Sequence, residues 1–314
     1  METVLPIVLP VFGLLFVGFG AARAGLVKDN VADGLSDFVF TVAVPCLLFK
    51  TLATADIPEA SPWGYWFAYF SGVAVAWLVA SFSVIRIFGR DGRTAVVSGF
   101  SAGQGNTVLI GIPLILVAYG DAGKVPIFLL LAIHLPLMMT VATLGIELAS
   151  PGGRKPLGAV LRSLSVSIAT HPIIIGIALG VVWRFTGWEL PEVPLKLIDS
   201  LGSTAVPCAL FSSGMALKRY GIAGDVRITV LVSFLKLVIH PAIFLALGWA
   251  LGLPPVWIGA GLLFAACPTG INAYLVANRY GTGIRIASST IALSTMVAVI
   301  SVSGWLLMTG ALGL

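Results

Sequence analysis

Charge is what this chain has least of. Only 10% of its 314 residues are Asp, Glu, Lys or Arg, against about 25% in soluble domains, whose surface must face water. So little polar surface cannot cover a globule of this size, and most of the outer face must meet lipid. No run of basic residues occurs, so a nucleic-acid partner has no footprint. Cysteine is scarce and odd in number: Cys46, Cys208 and Cys267 all lie in apolar stretches. That excludes a closed disulfide framework and offers no metal-ligand spacing; the three read as small packing residues. GxSxG, HExxH and carboxylates paired at a useful spacing are all missing, so nothing points to an enzyme, a metal site or a cofactor. A basic leader is missing as well. Met1-Glu2 precedes the first apolar stretch and the first cation is Arg23, which reads as a retained helix with its N-terminus outside.

What is present is apolar length. Hydrophobic residues make up 58% of the chain, and the mean hydropathy is +1.05. A membrane-spanning helix needs roughly 17–25 apolar residues. Ten runs of about that length occur, at 3–22, 31–53, 63–87, 94–119, 124–148, 159–183, 192–216, 227–251, 255–280 and 284–312. The expected fold is an all-α membrane protein of ten transmembrane helices in the lipid bilayer. The most polar connection, Pro151 to Lys155, falls between the fifth and sixth runs and divides the chain into halves at 1–150 and 159–314. Thirteen of the eighteen Lys and Arg lie in the odd-numbered connections, which the positive-inside rule assigns to the cytoplasm, with both termini outside.

The halves repeat. Residues 35–49 (LSDFVFTVAVPCLLF) and 197–211 (LIDSLGSTAVPCALF) match at eight of fifteen positions with an offset of 162, including Asp37/Asp199 and Pro45-Cys46/Pro207-Cys208. Five spans separate the copies, so they cross the membrane in opposite directions. The expected architecture is a 5+5 inverted repeat about a pseudo-two-fold axis in the membrane plane, with a substrate site near the midplane.

The same offset, within a residue or two, links two unusual segments. The fourth span holds Gly103-Gln104-Gly105-Asn106-Thr107, and the ninth holds Cys267-Pro268-Thr269-Gly270-Ile271-Asn272. Gly loosens a helix and Pro deletes an N–H, so each span should break there, in mid-membrane, where freed backbone groups must find partners. Two broken helices facing each other present half-helix N-termini, whose N–H groups and positive partial charge suit a carboxylate. Gln104, Gly105, Asn106, Thr107, Pro268, Thr269, Gly270 and Asn272 are therefore the candidate binding residues. The plainer alternative is a pair of packing kinks.

Ionisable residues inside spans come next. Lys236 and His240, four apart on the eighth span, share a face. Lys236 is either a counter-charge for a carboxylate, or paired with Asp37 or Asp199, or reaching for the interface. Asp37 and Asp199 read first as structural groups near helix starts. His134 and His171, near Pro136 and Pro172, are proton carriers or core histidines.

These residues resemble a known family. GNTVLIGIPLILVAYG at 105–120 is similar to the fourth-helix signature of the auxin efflux carrier family, and FAACPTGINAYLVANRYG at 264–281 to its ninth. That family covers plant PIN proteins and bacterial malate and malonate permeases; AVPCLLF at 43–49 fits too. The resemblance spans the chain, apart from the long central loop of the plant proteins, and Gly105 stands where the family often has Pro. It implies an elevator-type carrier of small organic anions in the bacterial inner membrane, a homodimer with a fold like that of bile-acid symporters. Spans 1, 2, 6 and 7 would form the scaffold and dimer contact, and spans 3–5 and 8–10 the moving domain, with the carboxylate near Asn106 and Pro268. Competing readings are a sodium-coupled carrier of bile-acid type and a receptor that binds without transport. Auxin-like indole acids, malate and malonate all carry the expected group.

Overall fold

The computed structural model describes residues 4–54, 61–150, 157–220 and 224–312. Among them the chain is helical throughout, and its one β feature is an isolated antiparallel bridge between Gly105 and Thr269. In chain order the helices are α1 (Leu5–Arg23), α2 (Asn30–Thr54), α3 (Trp63–Arg86), α4 (Gly92–Gly103), α5 (Ile112–Tyr119), α6 (Lys124–Ala149), α7 (Leu157–Ala169), α8 (Pro172–Thr186), α9 (Glu192–Ser203), α10 (Ala205–Leu217), α11 (Val226–Ala250), α12 (Pro255–Ala266), α13 (Asn272–Tyr280) and α14 (Ile284–Leu312). Seven helical stretches are long and apolar enough to cross a membrane, and α8 and α12 are shorter apolar helices. The polar connection at 151–155 lies outside the described residues.

Helix boundaries follow local chemistry. Asp91 caps α4, accepting from the Thr94 N–H and hydroxyl at 2.9 Å each, which satisfies donors the first turn leaves open. The sixth apolar run is divided at Thr170-His171 because Pro172 keeps His171 extended (ψ 123°). Three π turns, Val39–Ala43, Thr107–Gly111 and Leu235–Ile239, each end two residues before a proline: Pro45, Pro113 and Pro241. A proline cannot donate to the carbonyl four residues back and its ring pushes that carbonyl away, so the preceding turn widens. At Pro241 the freed Leu237 carbonyl accepts the Trp305 indole N–H at 2.9 Å.

Two sets of helix contacts stand out. In one, α1 lies along α10, and the second half of α2 lies along α8. Glycine lets these pairs touch backbone to backbone: a Cβ on Gly18 would stand 2.2 Å from the Phe211 carbonyl oxygen, and one on Gly180 would stand 2.8 Å from that of Phe49. Gly18/Gly180 and Phe49/Phe211 are both separated by 162, so each contact is the other with its partners exchanged. Charges close the ends of this group. Lys218 reaches Asp29 at 2.9 Å and Arg219 reaches Asp33 at 2.6 Å, while Lys50 pairs with Asp199. The start of α2 thus meets the end of α10, and the end of α2 meets α9. The two copies of the repeated motif therefore run antiparallel. In the second group, α3 packs on α4 and α11, α11 on α12 and α14, and α13 on α14.

Candidate functional site

The fourth and ninth apolar runs are both broken. The chain leaves α4 at Gly103, is extended at Gln104 (ψ 106°), turns at Asn106 (ψ 63°), and re-enters helix at the π turn of Thr107. It leaves α12 at Ala266, turns extended at Cys267 (ψ 142°) and resumes at Asn272. The two breaks pair with each other. The Asn106 N–H donates to the Pro268 carbonyl at 2.7 Å, and the Gly270 N–H donates to the Gln104 carbonyl at 2.9 Å. Two of the freed N–H groups and two carbonyls thereby find partners in the opposite break, and this is one way irregular backbone survives in a water-poor interior.

Small residues make the approach feasible. A Cβ on Gly270 would lie 2.8 Å from the Gly105 oxygen. Thr269 pins the crossing twice: its hydroxyl donates to the Ser101 carbonyl at 2.9 Å and its N–H donates to Ser294 Oγ at 3.0 Å. Asn106 caps its own half-helix, accepting the Leu109 N–H at 3.3 Å. One pocket is lined by Gln104, Asn106 and Thr107 from the first break and by Gly270, Ile271 and Asn272 from the second. Two helix N-termini therefore face one cavity, beside the buried and unpartnered Gln104 Oε1. A second pocket, on the side of Ser213, Tyr220 and Thr295, shares Asn106 and Ile271 with the first.

Lys236 is fully buried on the π turn of α11. Its ammonium donates to the Ala265 carbonyl at 2.6 Å and lies 3.3 Å from His240 Nδ1. It also stands 3.4 Å from where a Gly105 Cβ would be. The sequence left three roles open for it. The structure excludes the snorkelling one, since no part of the side chain reaches an interface, and it excludes pairing with either aspartate. Asp199 is exposed and takes Lys50, and Asp37 is exposed at the far end of α2. His134 and His240 gather around Tyr69, with ring centroids at 5.5 and 4.8 Å. His171 occupies the residue before α8 without a side-chain capping bond.

Ser101, Ser294 and Tyr69 were not singled out from the sequence. Serines on apolar helices carry no signal of their own, and only the tertiary crossing shows which carbonyls and amides they meet. Among the described residues no group of three or more His, Cys, Asp or Glu is arranged to hold a metal.

A multi-pass helical protein with two facing helix breaks and a charged group behind them has the build of a membrane transport protein. Comparison with known proteins agrees. Residues 3–306 match the family described as membrane transport protein. A Rhizobium meliloti protein named "Putative malonate transporter" is 32% identical, covering 99% of this chain and 98% of its own length. Auxin efflux carrier component 8 of Arabidopsis thaliana is 23% identical over 92% of each chain. The mouse lysosomal cholesterol signaling protein is 23% identical over 96% of this chain, which spans 37% of that larger protein. The chain belongs to the auxin efflux carrier family.

Proposed function

We propose that the protein is a secondary transporter of small organic anions, with the carboxylate held at the crossing of the two broken helices. The observation that carries this is the shared pocket: the half-helix N-termini at Thr107 and Asn272 line one cavity, where N–H donors and positive partial charge favour an anion. Lys236 supplies a fixed positive charge behind it. The names of the malonate and auxin relatives agree with a carboxylate cargo such as malonate, malate or an indole acid.

The proposed architecture is ten spans as a 5+5 inverted repeat, supported by the 162-residue offset, the exchanged glycine contacts and the charge bias of the connections. Spans 1, 2, 6 and 7 form the scaffold, through which a homodimer assembles. Spans 3–5 and 8–10 carry the crossing past it in an elevator motion, in a bacterial inner membrane with both termini outside. A sodium-coupled mechanism fits less well, because the Lys236 ammonium already occupies the back of the crossing with positive charge and no carboxylate stands there to balance a second cation.

The test is flux. In proteoliposomes loaded with labelled malonate, malate or indole-3-acetate, at least one should cross without sodium. Asn106→Ala and Asn272→Ala should each lower that flux about tenfold or more, the loss expected for one hydrogen bond to a charged group. Ligand-protected thermal stability with no flux would point instead to a receptor.

A further inference from the structure

Six titratable side chains are buried among the described residues: Tyr65, Tyr69, His134, Lys236, His240 and Cys267. None is a carboxylic acid. They converge behind the crossing. Tyr65 and Tyr69 come from α3, His134 from α6, Lys236 and His240 from α11, and Cys267 from the second break. Lys236 is bonded to Ala265 and in contact with His240, as described, and so has partners. His134 does not: it is 1% exposed, and neither Nδ1 nor Nε2 has a hydrogen-bond partner. The Tyr69 hydroxyl beside it is likewise buried and unpartnered. A buried imidazole with both nitrogens open is costly, and each open nitrogen leaves room for a proton once a negative charge beside it offsets the cost of burying the cation.

His134 stands one residue from the pocket rather than in its lining, and Tyr69 and His240 connect it to Lys236. Leu135, the next residue, lines the pocket at the crossing. One turn further on, Met138 touches Gly103, where a Cβ would fall 3.0 Å from Met138 Cε. Lys236 provides one positive charge when its amine is protonated. A monocarboxylate is balanced by it, but a dicarboxylate leaves one negative charge uncompensated in a medium where such charge is expensive. One proton on His134 cancels it.

We propose that His134 is a proton-binding site coupled to the cargo, so that a dicarboxylate dianion docks at the crossing together with one proton taken from bulk water. No bond is made or broken in the cargo. The proton adds to an open ring nitrogen of His134, travels with the dianion and leaves with it, so each cycle moves one net negative charge. This rests on the reading of the crossing as a carboxylate site. By linkage, the proton and the dianion each raise the other's affinity by the same factor.

The experiment is titration calorimetry of the purified full chain with malonate, and with malate and succinate should malonate not bind, in two buffers of different ionisation enthalpy. The expected result is uptake of about one proton per ligand, with affinity rising as pH falls from about 8.5 to 6.5, by up to tenfold per pH unit. In His134→Gln the dicarboxylate still binds, but uptake is lost and affinity is flat over that range. Binding without proton uptake in the wild-type chain overturns the proposal and leaves the carboxylate site standing. Uptake that survives in His134→Gln overturns the assignment to this residue. If that variant does not fold, His134→Asn carries the same comparison, and a wild-type affinity that is flat against pH overturns the proposal outright. A chain that binds none of the three dicarboxylates overturns the proposal, and binding of indole-3-acetate by that chain would leave the carboxylate site standing.

Discussion

The two helix breaks are bonded to each other through their backbones and otherwise differ. The first is made by glycine, with Gly103 and Gly105 around Gln104, and is followed by a π turn forced by Pro113. The second is made by Pro268 and Gly270 and returns directly to α-helix. Their exposed carboxyl ends are closed differently: Ser101 takes a neutral hydroxyl from Thr269, and Ala265 takes the ammonium of Lys236. The positions in the first half at offsets of 162 and 164 from Lys236 are Ala74 and Gly72, so the charge has no repeat mate. The pairing of the breaks is thus a backbone property that any sequence with small residues and a missing N–H can keep. The electrostatics are set by one side chain on a neighbouring helix and need not follow the symmetry.

The sharpest way to break this comparison is at the pairing itself. Gly270→Ala places a methyl group 2.8 Å from the Gly105 oxygen, and overpacking of this kind costs about 1–3 kcal/mol. Because the strain falls on the backbone pair that holds both breaks, flux should be lost almost entirely and the melting temperature should drop. Gly105→Ala, whose methyl group would meet its neighbours at 3.4 Å or more, should be tolerated far better. A reversed ranking would show that the backbone pairing does not organise the site.

Next in size is the charge. Lys236→Met should weaken anion binding by about 10- to 100-fold, the span expected for one charge-assisted interaction, while the chain still folds, because a buried ammonium is costly to keep. Equilibrium binding beside a thermal melt separates the two. Thr269→Val comes third. It leaves the Ser101 carbonyl buried and unbonded, and stability should fall by about 1–3 kcal/mol, with Thr269→Ser restoring most of it.

The smallest effect lies outside the crossing. Hydrogen bonds from Thr94, the backbone N–H first, hold the Asp91 carboxyl below the usual carboxylate range. A lowered folded-state value contributes stability above the unfolded carboxylate's titration and loses it as pH falls through the folded value. Asp91→Ala should therefore cost about 1 kcal/mol near neutral pH. The gap to wild type should narrow as pH falls through and below the ordinary carboxylate range. A gap that persisted in acid would mean the cap acts through packing rather than charge.

Much of this architecture is written in the chain at low resolution. The edges of α1, α2, α3, α6, α11 and α14 fall within a few residues of the apolar runs, because lipid demands length and loops demand charge. Both breaks are legible, since Gly and Pro beside amides in mid-membrane have few other uses. The division of the sixth run at His171-Pro172 was missed: a run of apolar residues hides a proline that sits at a helix start as well as it hides one inside a helix. The π turns share a proline two residues on, a signal that is visible once known. What no pattern carries is the partner of Lys236. Ala265 offers only a carbonyl, identical in sequence terms to every other carbonyl, and the aspartates matched by the repeat drew attention toward charges that lie at the surface.

A structure of the chain with malonate bound tests the central claim most directly. A carboxylate resting on the backbone N–H groups at Thr107 and Asn272, between two interrupted helices, is the result expected here. Malonate bound elsewhere, or found in a crossing whose fourth and ninth spans run on as unbroken helices, would contradict it.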